Sequence, residues 1–318
     1  MKKKIYQKNI CILFGLNSYI ANRLINFLKK DNKNIIFLVS RNKLSKYNYN
    51  NLEILLKKIN SSINCKLIVF NFANNVNVIE YTKKLKTIKR QTFLYARKIV
   101  KFCNKINIDQ KHIFLSSDRI FGKNNKKIYF STKPEPIDPY GLLKLEYENF
   151  LKKNLIQGNL TLVRSTNVYG PGQKSKQFIP NILSQINSKL QKNIKVGNIK
   201  TYRDYLYIDD LCEALLKIKG KNTSKKFQIY HLSNKKVKLE KILNIIKKYF
   251  TINNLSIKFE IHNSLKRNKK FELGNFKLLR YTTSERLKWY PKTNIEKGIK
   301  YILNYELKKG RKLNIKRI

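Results

Sequence analysis

No stretch of this chain approaches the roughly 20 consecutive apolar residues that a membrane-spanning helix needs, so no span is expected. Cysteine is sparse: Cys11, Cys65, Cys103 and Cys212 stand far apart, mostly inside apolar runs, with no Cys-x-x-Cys pair. That pattern excludes a disulfide framework and fits reduced core thiols in a cytosolic protein. His112, His231 and His262 are too dispersed for a metal-ligand set. After the basic Met1-Lys2-Lys3-Lys4, the apolar run stops at Gly15, too short for a signal peptide, and a cytoplasmic location is expected. Internal repeats and low-complexity linkers are missing as well.

Acidic residues are few. Asp and Glu number 19 against 69 Lys and Arg, a net charge of +50 over 318 residues. Such a balance attracts nucleic acid, anionic membrane or phosphate-bearing ligands. A nucleic-acid footprint gathers its bases on one element, often interleaved with aromatics. Here Lys is spread throughout beside abundant Asn and Ile, which reads as a composition bias, and neither a nucleic-acid nor a membrane partner is expected. The acids are placed selectively: of the seven Asp residues, Asp118, Asp138, Asp204, Asp209 and Asp210 fall inside the motifs described below. A hydrophobic fraction of 42% supports a folded core of one large or two modest domains.

Strand and helix signals alternate along the first half. Asn9 to Phe14 reads as a buried strand, followed by a small-residue turn at Gly15 and a helix to about Lys30 with Ile20, Leu24, Ile25 and Leu28 at helical spacing. A strand, a tight turn and a helix start make an anion site, because the first N–H groups of a helix lack partners. The glycine pattern is incomplete, with Ser18 and Ala21 in the second and third places. The second strand, Asn34 to Val39, ends in Ser40-Arg41-Asn42. A carboxylate there suits the ribose hydroxyl of NAD, whereas Arg41 suits the extra phosphate of NADP and tilts the cofactor expectation that way.

A helix around Leu52 to Ile59, a strand from Lys66 to Phe72, a helix at about Gln91 to Lys105 and a strand from His112 continue the alternation. It predicts an α/β fold with a parallel sheet covered on both faces. After a strand at Asn159 to Val163 the alternation breaks. Helices are expected at Pro180 to Leu190, Leu211 to Ile218, Leu239 to Phe250 and Ile295 to about Lys308, and a strand at Phe227 to Leu232.

The chemistry centres on Ser116-Ser117-Asp118-Arg119 and Asp138-Pro139-Tyr140-Gly141-Leu142-Leu143-Lys144. Asp138 is a good N-cap and Pro139 suits a first helical turn, so Tyr140 and Lys144 share one helix face. An ammonium beside a phenol favours the phenolate, lowering a pKa that is ordinarily about 10. Ser117, at the end of its strand, is placed to hold a substrate hydroxyl. Tyr129/Lys133 and Tyr305/Lys309 repeat the spacing, but the first runs into Pro134 and the second has no upstream serine strand.

Taken together, the degenerate Gly15 turn, the Ser116-Ser117 strand, Tyr140-Gly141-x-x-Lys144 with Glu148, Arg164 to Pro171, Arg203 to Asp210 and Trp289 to Thr293 resemble the extended short-chain dehydrogenase/reductase family. The resemblance is to its NAD-dependent epimerase/dehydratase group, which acts on nucleotide sugars. It implies a Rossmann-like doubly wound parallel sheet in residues 1–166 and a smaller C-terminal substrate-binding region in 167–318, with segments around 203–233 returning to the sheet. It implies Ser117, Tyr140 and Lys144 as catalytic residues. Gly15, Ser18, Tyr19, Ile20, Arg41 and Ala73, together with Tyr140 and Lys144, would contact NAD or NADP. Asp118, Asn167 and Arg203 would contact a nucleoside-diphosphate sugar, with Arg203 on its diphosphate, and Arg164 would give structural support beneath the site. A homodimer is the family's usual assembly.

One departure bears on the reaction. Many 4,6-dehydratases of the family carry Asp-Glu where this chain has Asp118-Arg119, so the expected carboxylate base is missing. The leading expectation is C4 epimerisation of a nucleotide sugar, with an NADPH-dependent 4-keto reductase or a dehydratase as the alternative. A non-catalytic basic protein that binds RNA is the alternative of another class.

Overall fold

Near-continuous apolar runs build a sheet with two buried faces. The computed structural model describes residues 8–15, 17–39, 46–72, 85–123, 127–174, 177–188, 193–252, 257–265, 277–278 and 281–309. Among these, β1 (Lys8–Phe14), β2 (Asn34–Val39), β3 (Cys65–Asn71), β4 (Gln110–Ser117), β6 (Asn159–Ser165) and β10 (Phe227–Leu232) form a six-stranded sheet in the order β10-β6-β4-β3-β1-β2. Every pairing in it is parallel.

Period-2 alternation then assigns side chains to faces. Cys11, Leu13, Phe70, Ile113, Leu115 and Val163 pack against α1 (Tyr19–Leu28) and α6 (Ile208–Gly220). Ile10, Ile12, Phe14, Val69, Phe114 and Leu162 pack against α3 (Leu85–Lys105) and α4 (Pro139–Asn154). Helix α1 buries Ala21, Leu24, Ile25 and Leu28, each large side chain contributing roughly 1.5–3 kcal/mol. Helices on both faces bear out the covered parallel sheet expected from the alternation and make this the Rossmann-like doubly wound fold that the resemblance implies. The strand order reverses between β1 and β3, and in such sheets ligands bind beyond the carboxyl ends of the strands at that reversal. Phe72 N–H bonds to Phe14 O at 2.9 Å there, which holds the two strand ends together.

The expected boundaries hold for β2 and β10. Helix α2 (Lys46–Ser62) starts earlier than Leu52, and α3 starts at Leu85 rather than Gln91. The expected helix near Pro180 is α5 (Phe178–Ser188), and α7 (Leu239–Ile252) and α9 (Ile295–Lys309) match their patterns, with the short α8 (Tyr281–Leu287) between them. The second half adds β7 (Asn167–Tyr169), β9 (Tyr202–Tyr207) and β11 (Lys236–Lys238) as a three-stranded sheet. Two strand pairs, β8 (Asn193–Val196) with β12 (Lys258–Ile261) and β5 (Lys127–Ile128) with β13 (Lys277–Leu278), complete it.

Polar ties fasten the second half to the sheet. Asp210 accepts the N–H groups of Lys292 at 3.1 Å and Thr293 at 3.0 Å, which places the segment after buried Trp289 against α6. Arg23 on α1 grips Asp209 at the start of α6, at 2.5 and 2.7 Å. Lys111, buried on β4, donates to the carbonyls of Ile218 at 2.8 Å, Lys219 at 3.2 Å and Lys221. It thus caps the C-terminal end of α6 with positive charge. Burial pushes its ammonium down to about 8.

Candidate active site

Two strand ends and one helix start build the site. β4 runs out at Ser117, and the chain turns into a 3-10 helix, Asp118–Phe121. The Ser117 hydroxyl donates to Asp118 Oδ1 at 3.2 Å and accepts the Arg119 N–H at 3.3 Å. Gly122, in the left-handed region at φ 57°, closes that turn.

Helix α4 begins as its sequence dictates. Asp138 has extended backbone, and its carboxylate accepts the N–H groups of Tyr140 and Gly141, with Pro139 in the first turn. The helix buries Tyr140, Leu143, Lys144, Tyr147, Glu148 and Leu151. Tyr140 and Lys144 share a face, as their spacing predicts. The Lys144 ammonium nitrogen lies 5.7 Å from the Tyr140 ring centroid and 4.9 Å from that of Phe114. It donates to Leu115 O at 2.7 Å, two residues before Ser117. The helix is therefore docked on the strand that carries the serine.

The electrostatics differ from a simple exposed ion. Burial pushes the Lys144 ammonium down to about 7, with the Glu148 carboxylate one turn along the helix opposing that shift. Glu148 is itself held by Arg164 of β6 in a bidentate pair at 2.8 and 3.1 Å, wholly buried. Arg164 thus braces the underside of α4, as expected. Asp118 moves the other way: burial raises its carboxyl to about 6, the Asp204 carboxylate adds to the rise, and the Arg119 and Arg203 cations oppose it.

Arg119 stands where, by the resemblance, many dehydratases carry a carboxylate. Its guanidinium turns back to Asp138, with Nε at 3.0 Å and Nη2 at 2.8 Å from Oδ2.

The remaining expected residues are distributed as follows. Asn167, on β7, donates through Nδ2 to the Asp204 carbonyl at 3.0 Å. Arg203, on β9, donates to Tyr202 O at 2.7 Å. The charges of Asp204 and Arg203 are felt at Asp118, just beyond the end of β4. At the β1 end, Gly15 takes φ 101°, a conformation that a side chain would strain, and its N–H bonds to Val39 O at 3.2 Å. Ser18 caps α1 through its hydroxyl on the Ala21 N–H at 3.5 Å. Tyr19 donates to Pro171 O at 3.2 Å, and Ile20 packs on the core. Arg41 and Ala73 lie outside the described residues.

Sequence reasoning passed over Asp204 as a structural centre. Its Oδ1 accepts the Thr166 hydroxyl at 3.1 Å and the Asn234 N–H at 2.9 Å, tying β7, β9 and the end of β10 together. The scarcity of acids was the available signal. The fork from Arg119 to Asp138 was invisible because 19 residues separate the partners. Among the described residues no group of three acidic, histidine or cysteine side chains is arranged to hold a metal, and no helix is long and apolar enough to cross a membrane.

Residues 11–232, from β1 to the end of β10, match the family model described as NAD dependent epimerase/dehydratase family. The chain belongs to the NAD dependent epimerase/dehydratase family. As a member it is an enzyme, and the matched residues include Ser117, Tyr140 and Lys144. A CDP-abequose synthase of Salmonella typhimurium is 24% identical over 225 residues, 67% of this chain and 71% of that protein. A putative UDP-glucose 4-epimerase of Methanocaldococcus jannaschii is 24% identical over 311 residues, 92% of this chain and 97% of that one. Among solved structures, the UDP-glucuronic acid 4-epimerase from Bacillus cereus in complex with UDP-glucuronic acid and NAD has a TM-score of 0.76 at 19% identity, covering 94% of this chain and 99% of that chain. RMD from Pseudomonas aeruginosa complexed with NADPH has a TM-score of 0.75 at 17% identity, over 93% and 98%. Both structural likenesses speak to the fold of the family.

Proposed function

We propose that this enzyme binds a nicotinamide dinucleotide and a nucleoside-diphosphate sugar and epimerises the sugar at C4. The observation that carries the reading is the Lys144 nitrogen on Leu115 O, which joins the face of Tyr140 to the strand end of Ser117. A left-handed glycine between β1 and α1, at the reversal of strand order, fits a dinucleotide pyrophosphate. Gly15, Ser18, Tyr19, Ile20 and Ala73 are the residues assigned to that side, with Arg41 at the adenosine ribose. When bound, the nicotinamide supplies the hydride acceptor and donor.

The chain's own residues do the rest. Tyr140 takes the proton of the C4 hydroxyl and later returns it, general acid–base work that is worth about 10²- to 10⁴-fold. Ser117 holds that hydroxyl. Lys144 lowers the cost of the phenolate when it is protonated and also holds the nicotinamide ribose. Asn167 lies toward the sugar nucleotide's phosphates, Arg203 pairs with the diphosphate as a charge-assisted contact, and Asp118 faces the sugar. Where many dehydratases of the family carry a carboxylate base this chain has Arg119, whose charge is engaged by Asp138, which argues against dehydration. Leu94 on α3 and Leu142 on α4 are exposed, in keeping with a homodimer through those helices.

A second reading has its own observation. Arg41 follows β2 where an acid would favour NAD, and it favours an NADPH-dependent 4-keto reductase. Denaturing the purified protein and identifying the released dinucleotide separates the two. Bound NAD⁺, with interconversion of C4 epimers of a UDP-sugar and no net change in absorbance at 340 nm, supports the epimerase. An empty protein that consumes NADPH with a 4-keto sugar nucleotide overturns it in favour of the reductase. Failure to bind either dinucleotide, with salt-sensitive RNA binding that survives Tyr140→Phe, removes both.

A further inference from the structure

Asp138 has its whole carboxylate engaged. Oδ1 accepts the N–H groups of Tyr140 and Gly141, each at 3.1 Å. Oδ2 accepts Nε and Nη2 of Arg119 at 3.0 and 2.8 Å. The Asp138 side chain is fully shielded from solvent and that of Arg119 is 9% exposed. An N-cap carboxylate alone satisfies its own helix and leaves the helix free to shift against its neighbours. Here the same carboxylate is also held from outside, by the residue two positions beyond Ser117. A second contact lies beside it: a Cβ on Gly141 would stand 2.5 Å from the Arg119 carbonyl oxygen, so the two backbones touch where the fork joins them.

We propose that Arg119 is a positioning residue for Tyr140. Its guanidinium holds Asp138, and Asp138 holds the first turn of the helix that carries the tyrosine. The loop that starts at Ser117 and the helix that starts at Pro139 are thereby set in one register. Lys144 fixes the same helix one turn further on, from Leu115, so the tyrosine sits between two ties to β4 and the loop that follows it. A lysine at 119 would not serve equally, because a point charge lacks the planar fork. The proposal rests on the reading of Tyr140 as the acid/base. It gives the Asp118-Arg119 pair a positive role: the side chain that replaces a dehydratase's carboxylate has been turned to holding the helix that performs the redox step.

Three variants test it: Arg119→Lys, Arg119→Met, and Arg119→Met with Asp138→Asn. The double variant keeps a neutral cap on the helix and does not strand the Asp138 carboxylate without its guanidinium, so it remains informative where Arg119→Met alone fails to fold. Two readouts are needed, steady-state kinetics and amide hydrogen exchange at Tyr140 and Gly141. The double variant is expected to lose about tenfold or more in kcat with KM for the sugar nucleotide within about twofold, because small misplacements of reacting groups act on the chemical step. The same variant is expected to exchange the two amides at least about tenfold faster, and Arg119→Lys to recover only part of the turnover. Wild-type exchange in the double variant overturns the proposal whatever the kinetics show. Faster exchange with wild-type kcat also overturns it. If the wild-type protein has no dinucleotide-linked turnover, the proposed function fails while the exchange measurement still decides whether the clamp exists.

Discussion

The ammonium of Lys144 bonds to the main-chain carbonyl of Leu115 at 2.7 Å, across 29 residues of sequence. One bond thus fixes the spacing between the serine strand and the tyrosine helix, and it does so with a cation that has been stripped of water. Burial holds that cation at about 7, against an ordinary value of 10.5.

That burial has a stability cost with a defined pH window. Between about 7 and 10.5 the unfolded chain binds the Lys144 proton more tightly than the folded one, so stability gained at high pH is lost as pH falls through this range. Lys144→Met is expected to raise Tm by roughly 5 °C at pH 6.5, with the gain fading by pH 10. Thermal unfolding of both proteins across pH 6–10 checks it, and a gap independent of pH would remove the explanation. Turnover in the same variant is expected to fall by about 10²-fold or more.

Tyr140→Phe separates chemistry from structure. Its kcat is expected to drop by about 10²- to 10⁴-fold, while bound dinucleotide and Tm stay near wild type. Retained activity would reassign the acid/base role.

Asp118 carries the opposite sign. Its folded carboxyl is raised to about 6 from 3.8, so the folded chain holds the proton more tightly, and the favourable term present at low pH is lost as pH rises through 6. Asp118→Asn is expected to be more thermostable than wild type at pH 7.5, with the two melting curves converging as pH approaches 4. Asn keeps an acceptor for Ser117, so the hydrogen bond at 3.2 Å has a successor.

Gly141→Ala tests packing by a reversal of sign. Alanine inside a helix ordinarily stabilises relative to glycine by up to about 1 kcal/mol. Here the added carbon meets the Arg119 carbonyl at 2.5 Å, and overpacking of that kind costs about 1–3 kcal/mol. A Tm lowered by several degrees is expected from calorimetry; a higher Tm would show that the two backbones separate easily.

The sheet was legible because strands buried on both faces carry near-continuous apolar runs. Asn34–Val39 and Phe227–Leu232 could be bounded to the residue for that reason. Helix α4 was legible through Asp138, Pro139 and the spacing of Tyr140 and Lys144, all local signals. What stayed hidden was non-local. The short strands β7, β8, β11 and β12 owe their pairing to partners far along the chain and carry too few residues for a period. Ser18 stands in the sequence as a gap in the glycine pattern and, by the resemblance, as a dinucleotide contact, while the structure gives its hydroxyl to its own helix. The charge expected on Lys144 followed from its residue type, whereas burial, which depends on Phe114 and Leu115 above it, decides how firmly that charge is held.

The place of β10 at the edge of the sheet sets an order on synthesis. Phe227 to Leu232 pair with Leu160 to Ser165, so β6 leaves the ribosome well before the strand that covers it. Until then its outer row of N–H and C=O groups is an open template for another chain. The Lys111 ammonium waits as well, since the three carbonyls that receive it belong to residues 218, 219 and 221. A nascent chain that already holds Ser117, Tyr140 and Lys144 therefore spends an interval with a sticky edge and an unhoused charge, and it is in that interval that a chaperone would have most to protect.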